Sequence, residues 1–288
     1  MEKKSPLTHS LGYTFPRAVE KDKARVESSI QKALSILTLL SPENPRVKAE
    51  DITEQLNCSP ATAYRYIEAL SDIGLLSTIG GGYYGVGPRV VELDRTLQLS
   101  DPLIHVGQKI MREKADEVPN SVLRLCGLFD GRVICLHSEG PEYIRSGGDQ
   151  ISLVHGRGVT MPLFRNSASL SILAFLPLQR AQNLYLENAP DIQRAGLGDT
   201  WKEFRAYLSM LKRRGFAYTA GRNNPELAAV SVPIGPAHGG QIFGSLTRVY
   251  SYAWFSNQNL DDLVQEVKAG GDKIQMEIIQ SIPGGSFK

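Results

Sequence analysis

The sequence predicts an α+β chain in two parts: an N-terminal winged helix-turn-helix and a larger antiparallel-sheet domain, joined by a linker helix. Three observations carry this reading. Between Ser29 and Arg89, three short amphipathic segments precede a glycine-rich hairpin. Beyond about Ser121, strand-like runs follow one another with helical patterns between and after them, instead of alternating strand by strand. The length, 288 residues, exceeds what one small domain uses.

In the first part, Ile30, Ala33, Leu34, Leu37 and Leu40 recur at helical spacing and predict a first helix with one apolar stripe. After the breaker Ser41-Pro42-Glu43-Asn44-Pro45, the pattern returns at Ala49, Ile52 and Leu56, and Asn57-Cys58-Ser59 supplies a turn. Ser59 suits an N-cap and Pro60 the first helical position. Over 60–73, Ala63, Ile67, Leu70 and Ile73 share the inner face of a third helix, and Gly74 stands where a helix commonly ends. The opposite face carries Ala61, Arg65, Glu68 and Asp72, flanked by Thr62, Tyr64 and Tyr66. Arg65 suits bidentate pairing with guanine or phosphate, Thr62 suits a thymine methyl or a phosphate, and Tyr64 offers a hydroxyl and a ring.

Taken alone, such a helix reads more readily as a solvated surface helix. The hairpin tips the balance. The strand 75–79, the turn Gly80-Gly81-Gly82 and the strand 83–86, opening on Tyr83, have the length and composition of a wing along a DNA backbone. Gly80 to Gly85 also satisfies G-x-G-x-x-G. Dinucleotide binding needs those glycines to open a helix, with an acidic residue about 20 positions on. Here they link two strands, and Pro88 follows.

From Pro88 a linker helix carrying Val90, Leu93 and Leu97 breaks near Ser100-Asp101-Pro102 and resumes through Ile110 to Val118. In a DNA reader this is also a natural place to join subunits, since a two-fold protein matches a palindromic operator. Strands are expected at 121–127 and 132–137, joined by Asp130-Gly131, and at 151–155. Helices follow at 166–176, 178–187 and 200–214, then strands at 216–220, 227–234 and 241–250, and a last helix at 260–282.

Composition excludes several classes. Net charge is +2, so no overall polycation marks a nucleic-acid binder. Locally, residues 1–25 hold Lys3, Lys4, Arg17, Lys21, Lys23 and Arg25 against Glu2, Glu20 and Asp22, a disordered-looking basic arm suited to a solvated tail or to a phosphate backbone. Cys58, Cys126 and Cys135 form no CxxC pair, which fits reduced thiols and a cytoplasmic protein. No stretch approaches ~18 apolar residues and no signal-peptide core opens the chain, so no membrane partner is expected.

Ser209-Met210-Leu211-Lys212 fits S-x-x-K but lies mid-helix without its companion motifs, and G-x-S-x-G, H-E-x-x-H and P-loop patterns are absent. His9, His105, His137, His155 and His238 show no ligand spacing. Neither catalysis, metal nor cofactor is expected.

The order of residues over 26–282 resembles the IclR family of bacterial transcription regulators. Ser29 to Leu37 is similar to the family's first helix. Ser59-Pro60-Ala61-Thr62-Ala63-Tyr64-Arg65 is similar to its recognition helix, with Tyr66 departing from the usual leucine, and Tyr83 to Arg89 is similar to its wing exit. Met161-Pro162-Leu163, Leu173 to Pro177, Arg214-Gly215-Phe216 and Leu227 to Ile234 resemble its effector domain. The resemblance implies a DNA-binding domain over 26–87, a linker helix over 88–104 and a GAF-like effector-binding domain over 105–288.

By the same resemblance, Ser59, Ala61, Thr62, Tyr64, Arg65 and Tyr83 would contact double-stranded DNA at a palindromic operator. Leu153, Ser167, Ala168, Thr219, Ala229, Thr247 and Val249 would contact a small-molecule effector. Free N–H groups at Ser167 and Ala168 would suit an anion. The family's Gly-Lys-Ala reads Ser169-Leu170-Ser171, and the acidic residue common near Thr219 is missing. Both departures disfavour a small, very polar acid. The runs 161–177 and 244–250 are similar to the hydroxyphenylpropionate-responsive branch, which implies an aromatic or other partly apolar acid, with Arg165 or Arg222 available to neutralise it. The resemblance further implies a homo-oligomer, dimer or dimer of dimers, acting on a catabolic operon. The alternative is a DNA-independent small-molecule-binding or hydrolytic protein whose N-terminal helices mediate partner contact.

Overall fold

The computed structural model describes residues 28–281 except Asp130, Gly147, Val154, His155, Asn223 and 236–241. The basic arm over 1–25, His9, His155 and His238, and the expected helix end at Ile282 lie outside the described residues. Among the described residues the chain divides into two compact units that part between Ser100 and Asp101.

The first unit starts with α1 (Ser29–Ser35), where Ser28 and Gln31 form a reciprocal capping box. The chain then tightens into a 3₁₀ turn over Ile36–Leu39. The packed stripe is Ala33, Ile36, Leu37 and Leu40. Ile36 is fully buried, while Ile30 and Leu34, placed in the stripe by the periodicity, are 72% and 49% exposed. A 3₁₀ turn advances about 120° per residue rather than about 100°, so the helical phase fails where the turn begins.

The proline-rich breaker leads into β1 (Arg46–Lys48), a strand the sequence reading did not anticipate. Next come α2 (Ala49–Leu56), ended by Asn57 in the left-handed region at φ 46°, and α3 (Pro60–Asp72). Then β2 (Leu76–Gly80), β3 (Tyr83–Val86) and α4 (Arg89–Ser100) follow. The strands form one antiparallel sheet in the order β1-β3-β2. Gly81 and Gly82 turn the hairpin at φ 62° and 77°, as a two-residue hairpin requires. The G-x-G-x-x-G run therefore lies in a hairpin. At Gly87 two backbones cross: an added Cβ would stand 2.1 Å from the Gly74 carbonyl oxygen.

In α3, Ala63, Tyr66, Ile67 and Leu70 are buried, while Ile73 is 58% exposed. Positions 63, 66, 67 and 70 follow the i, i+3, i+4, i+7 rule. The inner face thus takes Tyr66, placed on a flank by the sequence reading, and releases Ile73, which is already the helix's C-cap.

The second unit opens with α5 (Pro102–Lys114), capped by Asp101, whose Oδ1 accepts from Ile104 N at 3.1 Å. Strands β4 (Val122–Phe129), β5 (Arg132–Glu139), β6 (Tyr143–Ser146), β7 (Asp149–Ser152) and β8 (Thr160–Met161) follow. Helices α6 (Ser167–Leu173), α7 (Leu178–Arg194) and α8 (Trp201–Arg214) come next. The chain continues with β9 (Ala217–Ala220), β10 (Leu227–Ile234) and β11 (Gly244–Ser251), then α9 (Tyr252–Phe255) and α10 (Leu260–Ser281).

Six strands form an antiparallel sheet in the order β8-β5-β4-β11-β10-β9, and β6 and β7 form a separate hairpin. Of the strand expected at 151–155, Ile151 and Ser152 lie in the second arm of that hairpin, Leu153 follows it and Val154 and His155 lie outside the described residues, and β8 was not anticipated. The α7 helix runs beyond 187, kinking at Asn188 two residues before Pro190, whose ring removes an N–H donor.

Side-chain alternation divides the sheet into two faces. Leu123, Leu125, Val230, Val232 and Leu246 pack with Ile104 and Ile110 of α5 and Val267 and Ile274 of α10. Cys126, Leu128, Val133 and Cys135 pack on the other side with Leu170 and Leu173 of α6 and Phe204 and Leu208 of α8. A bulge in β5 at Leu136 sets Cys126 directly opposite Cys135 and turns Leu136 to the α5 and α10 face.

Candidate DNA-reading face and effector cavity

In the first unit the outward side of α3 carries the expected polar set. Ser59 caps the helix, its Oγ accepting from Thr62 N at 3.3 Å and lying 2.9 Å from Thr62 Oγ1. Ala61, Tyr64 and Arg65 are exposed and Thr62 half-buried. The guanidinium of exposed Arg65 lies 5.7 Å from the ring centre of the buried Tyr66, a cation–π contact at its charged end.

Tyr83, at the entrance to β3, has the Arg46 guanidinium 4.5 Å and the Lys48 ammonium 4.8 Å from its ring centre. Val47 between them is buried, so β1 presents two cations on one side and anchors itself on the other. The sequence reading passed over Arg46 and Lys48. Their signal was the alternation Arg-Val-Lys directly after a proline.

In the second unit a cavity of about 250 Å³ lies between the sheet, α6 and the β6-β7 hairpin. Strand register explains its wall. Thr219, Ala229, Val249 and Val122 sit in one cross-strand row of β9, β10, β11 and β4, and Ser231, Thr247 and Arg124 share the next row. Leu153, Ala168, Thr219, Ala229, Thr247 and Val249 all line the cavity.

Ser167 does not. It is fully buried and its Oγ accepts from Ser231 Oγ at 2.8 Å. Ser231 in turn lies 2.7 Å from Thr247 Oγ1. At the start of α6 the Ala168 N–H is not open to an anion, because Asn166 Oδ1 accepts from it at 2.9 Å. An asparagine immediately before the helix is itself a capping signal, and it takes the N–H that the sequence reading left free.

Polar side chains outside the expected set also join the wall, among them Arg124, Cys126 and Asn166. Arg124 is 7% exposed, and burial pulls its guanidinium below its ordinary value. The Cys126 thiol is held well above its ordinary value by its hydrogen bond with Cys135 and by burial, so it stays protonated at neutral pH. Of the two outer arginines, exposed Arg222 lines the cavity while donating from Nη2 to the Ala195 carbonyl at 3.1 Å, and Arg165 stands outside the wall.

Residues 32–84 match the model of an HTH domain. Over 223 residues, 76% of this chain and 81% of the relative, the sequence is 24% identical to a probable HTH-type transcriptional regulator ArcR of Halobacterium salinarum. The structure superimposes on an IclR transcriptional regulator of Alicyclobacillus acidocaldarius with a TM-score of 0.65 at 19% identity, covering 88% of this chain and 100% of that one.

The chain has the fold of the IclR-type regulators. A second such structure, an IclR homolog from Microbacterium hydrocarbonoxydans complexed with 4-hydroxybenzoate, gives a TM-score of 0.64 at 16% identity, again over 88% and 100% of the two chains. On this frame, α2 and α3 form the helix-turn-helix and β2 and β3 the wing, and the six-stranded sheet with its helices forms the second domain of the fold. Among the described residues no helix is long and apolar enough to cross a membrane, and no group of three or more His, Cys, Asp or Glu is placed to hold a metal.

Proposed function

We propose that the protein is a ligand-responsive transcription regulator that reads double-stranded DNA through α3 and the wing and binds a partly apolar organic acid in the cavity of its second unit. The observation that carries the reading is the cavity itself, walled by Leu153, Ala168, Thr219, Ala229, Thr247 and Val249 in a chain whose other unit is a winged helix-turn-helix. The 4-hydroxybenzoate bound by the IclR homolog supports an aromatic acid.

On α3, Arg65 with Ala61, Thr62 and Tyr64 reads base edges, while Ser59 and Tyr83 with Arg46 and Lys48 meet phosphates. The protein works in the cytoplasm, its three cysteines unpaired, and acts by binding without catalysis, on a catabolic operon. It assembles as a homodimer or a dimer of dimers through apolar residues of α4. No residue of that helix is buried within the chain, and Val91, Leu93 and Leu99 are 73%, 46% and 58% exposed. Effector binding shifts DNA affinity by a coupling free energy typically of about 1–3 kcal/mol.

The test is a mobility shift of the DNA upstream of the protein's own gene at two salt concentrations, with excess random DNA and a panel of aromatic acids. A specific, salt-sensitive complex altered by one acid is expected. Binding of the acids with no specific DNA complex on that fragment or on selected random fragments would instead favour a DNA-independent binding protein.

A further inference from the structure

The geometry points to Arg124 as the anchor for a ligand carboxylate, which makes the effector a compact monocarboxylic acid with its head at β4 and its apolar part against Leu153, Ala229 and Val249. This rests on the reading of the cavity as the effector site. The sequence analysis placed the anion at the start of α6, where Asn166 takes the Ala168 N–H.

Arg124 is more than nine-tenths buried, lines the cavity, and has two buried nitrogens, Nε and Nη2, with no hydrogen-bond partner among the described residues. These nitrogens form one edge of the guanidinium. Their N–H bonds run nearly parallel at the spacing of the two oxygens of a carboxylate, the side-on bidentate pairing for which arginine is suited. Leaving a charged donor buried and unpaired is costly, because its water is lost and nothing replaces it. Among the described residues the groups that act on Arg124 by charge are the thiols of Cys135 and Cys126, with no carboxylate among them, and the Cys135 thiol is drawn below its ordinary value, first by its hydrogen bond with Cys126. The protonated Cys126 thiol supplies no counter-charge.

Thr247, directly across from Arg124 in the ladder, does not compete for an anion. Ser231 donates its only proton to Ser167, so the hydrogen bond between Thr247 and Ser231 uses the proton of Thr247. Thr247 therefore shows lone pairs to the cavity, repelling a carboxylate and suiting a ligand donor. The volume, about 250 Å³, lies below the usual range for drug-sized pockets and fits a compact acid.

The experiment is thermal stabilisation and calorimetric titration of the full-length protein with benzoate, 3-phenylpropionate, the two corresponding amides and inorganic phosphate. Wild-type protein, Arg124→Met and Arg124→Lys are compared. Methionine replaces the unpaired charge with an apolar chain of similar length, and its unliganded melting point shows whether the variant folds. Stabilisation of the wild type by at least one acid, none by its amide or by phosphate, an affinity loss of roughly 10- to 150-fold in Arg124→Met and an intermediate loss in Arg124→Lys are expected. If Arg124→Met does not fold, the lysine variant alone decides.

Equal binding of acid and amide, or acid affinity retained in the variants, overturns the anchor while leaving the cavity as the effector site. Equal stabilisation by phosphate overturns the carboxylate assignment. No binding of acids or amides to the wild type overturns both the anchor and the effector-site reading.

Discussion

Arg248 is fully buried on the side of β11 opposite the cavity, where its Nη2 donates to Glu266 Oε1 at 2.7 Å and to the Lys114 carbonyl at 2.8 Å, and its Nη1 to Ser121 Oγ at 2.9 Å. Here an arginine is paired, in contrast to Arg124 a few ångströms of sheet thickness away. Arg248→Ala removes one member of a buried pair and strands Glu266, so a loss of about 3 kcal/mol in unfolding free energy, read from the urea midpoint, is expected.

Burial raises the Glu266 carboxyl above its ordinary 4.5, outweighing the pull of Arg248. A raised acid binds its proton more tightly when folded, so its contribution to stability is fully present below 4.5 and is lost as pH rises through the folded value. Glu266→Gln should remove that part of the slope in a melting series from pH 4 upward. An unchanged slope would refute it. On the DNA side, Arg65→Ala should weaken operator binding by about 1–3 kcal/mol and relax the preference at one base pair. An equal loss on every sequence would move Arg65 to the phosphates.

At the scale of elements, the hairpin and the α3 outer face were legible because their rules are local. Glycine at positive φ and an N-cap before proline depend on a few neighbours. The first helix was legible only in part, since the packed stripe is Ala33, Ile36, Leu37 and Leu40, and Ile30 and Leu34 stay exposed ahead of the 3₁₀ turn. β1 is three residues long and depends on pairing with β3, a long-range partner no local window contains. In the cavity, Thr219, Ala229, Thr247 and Val249 were placed by the resemblance alone, and the shared strand register sets them on one face of the sheet. Arg124 was missed although a charge amid the apolar run Val-Leu-Arg-Leu-Cys is a visible signal.

The wing exit provides a clean contrast between two glycines. Gly87→Ala drives a methyl into the Gly74 carbonyl and should cost about 1–3 kcal/mol. Gly81→Ala meets only the side chain of Tyr83, at 3.7 Å, and pays mainly for its φ of 62°, about 1 kcal/mol. Amide exchange in β2 and β3 should accelerate more in the first variant.

For the whole molecule, charge and exposed apolar surface make separate demands. With 32 Lys and Arg against 30 Asp and Glu, attraction to DNA must come from local cations rather than the overall field. Exposed α4 makes the other demand. On the proposed reading, a helix showing Val90, Leu93 and Leu97 to water on one face, with no residue buried in its own chain, would be stabilised by a second copy packing that face, and a two-fold pair would space its recognition helices for half-sites about one DNA turn apart. Two linked heads bind a palindrome far more tightly than one, because the second contact is intramolecular. Leu93→Lys with Leu97→Lys should therefore shift sedimentation toward the monomer and lower operator affinity by 100-fold or more, roughly the avidity of a bivalent reader. The same variant should lose little on a single half-site. An unchanged sedimentation profile would place the subunit contact elsewhere, and an unchanged preference for the palindrome over the half-site would show that pairing does not depend on this helix.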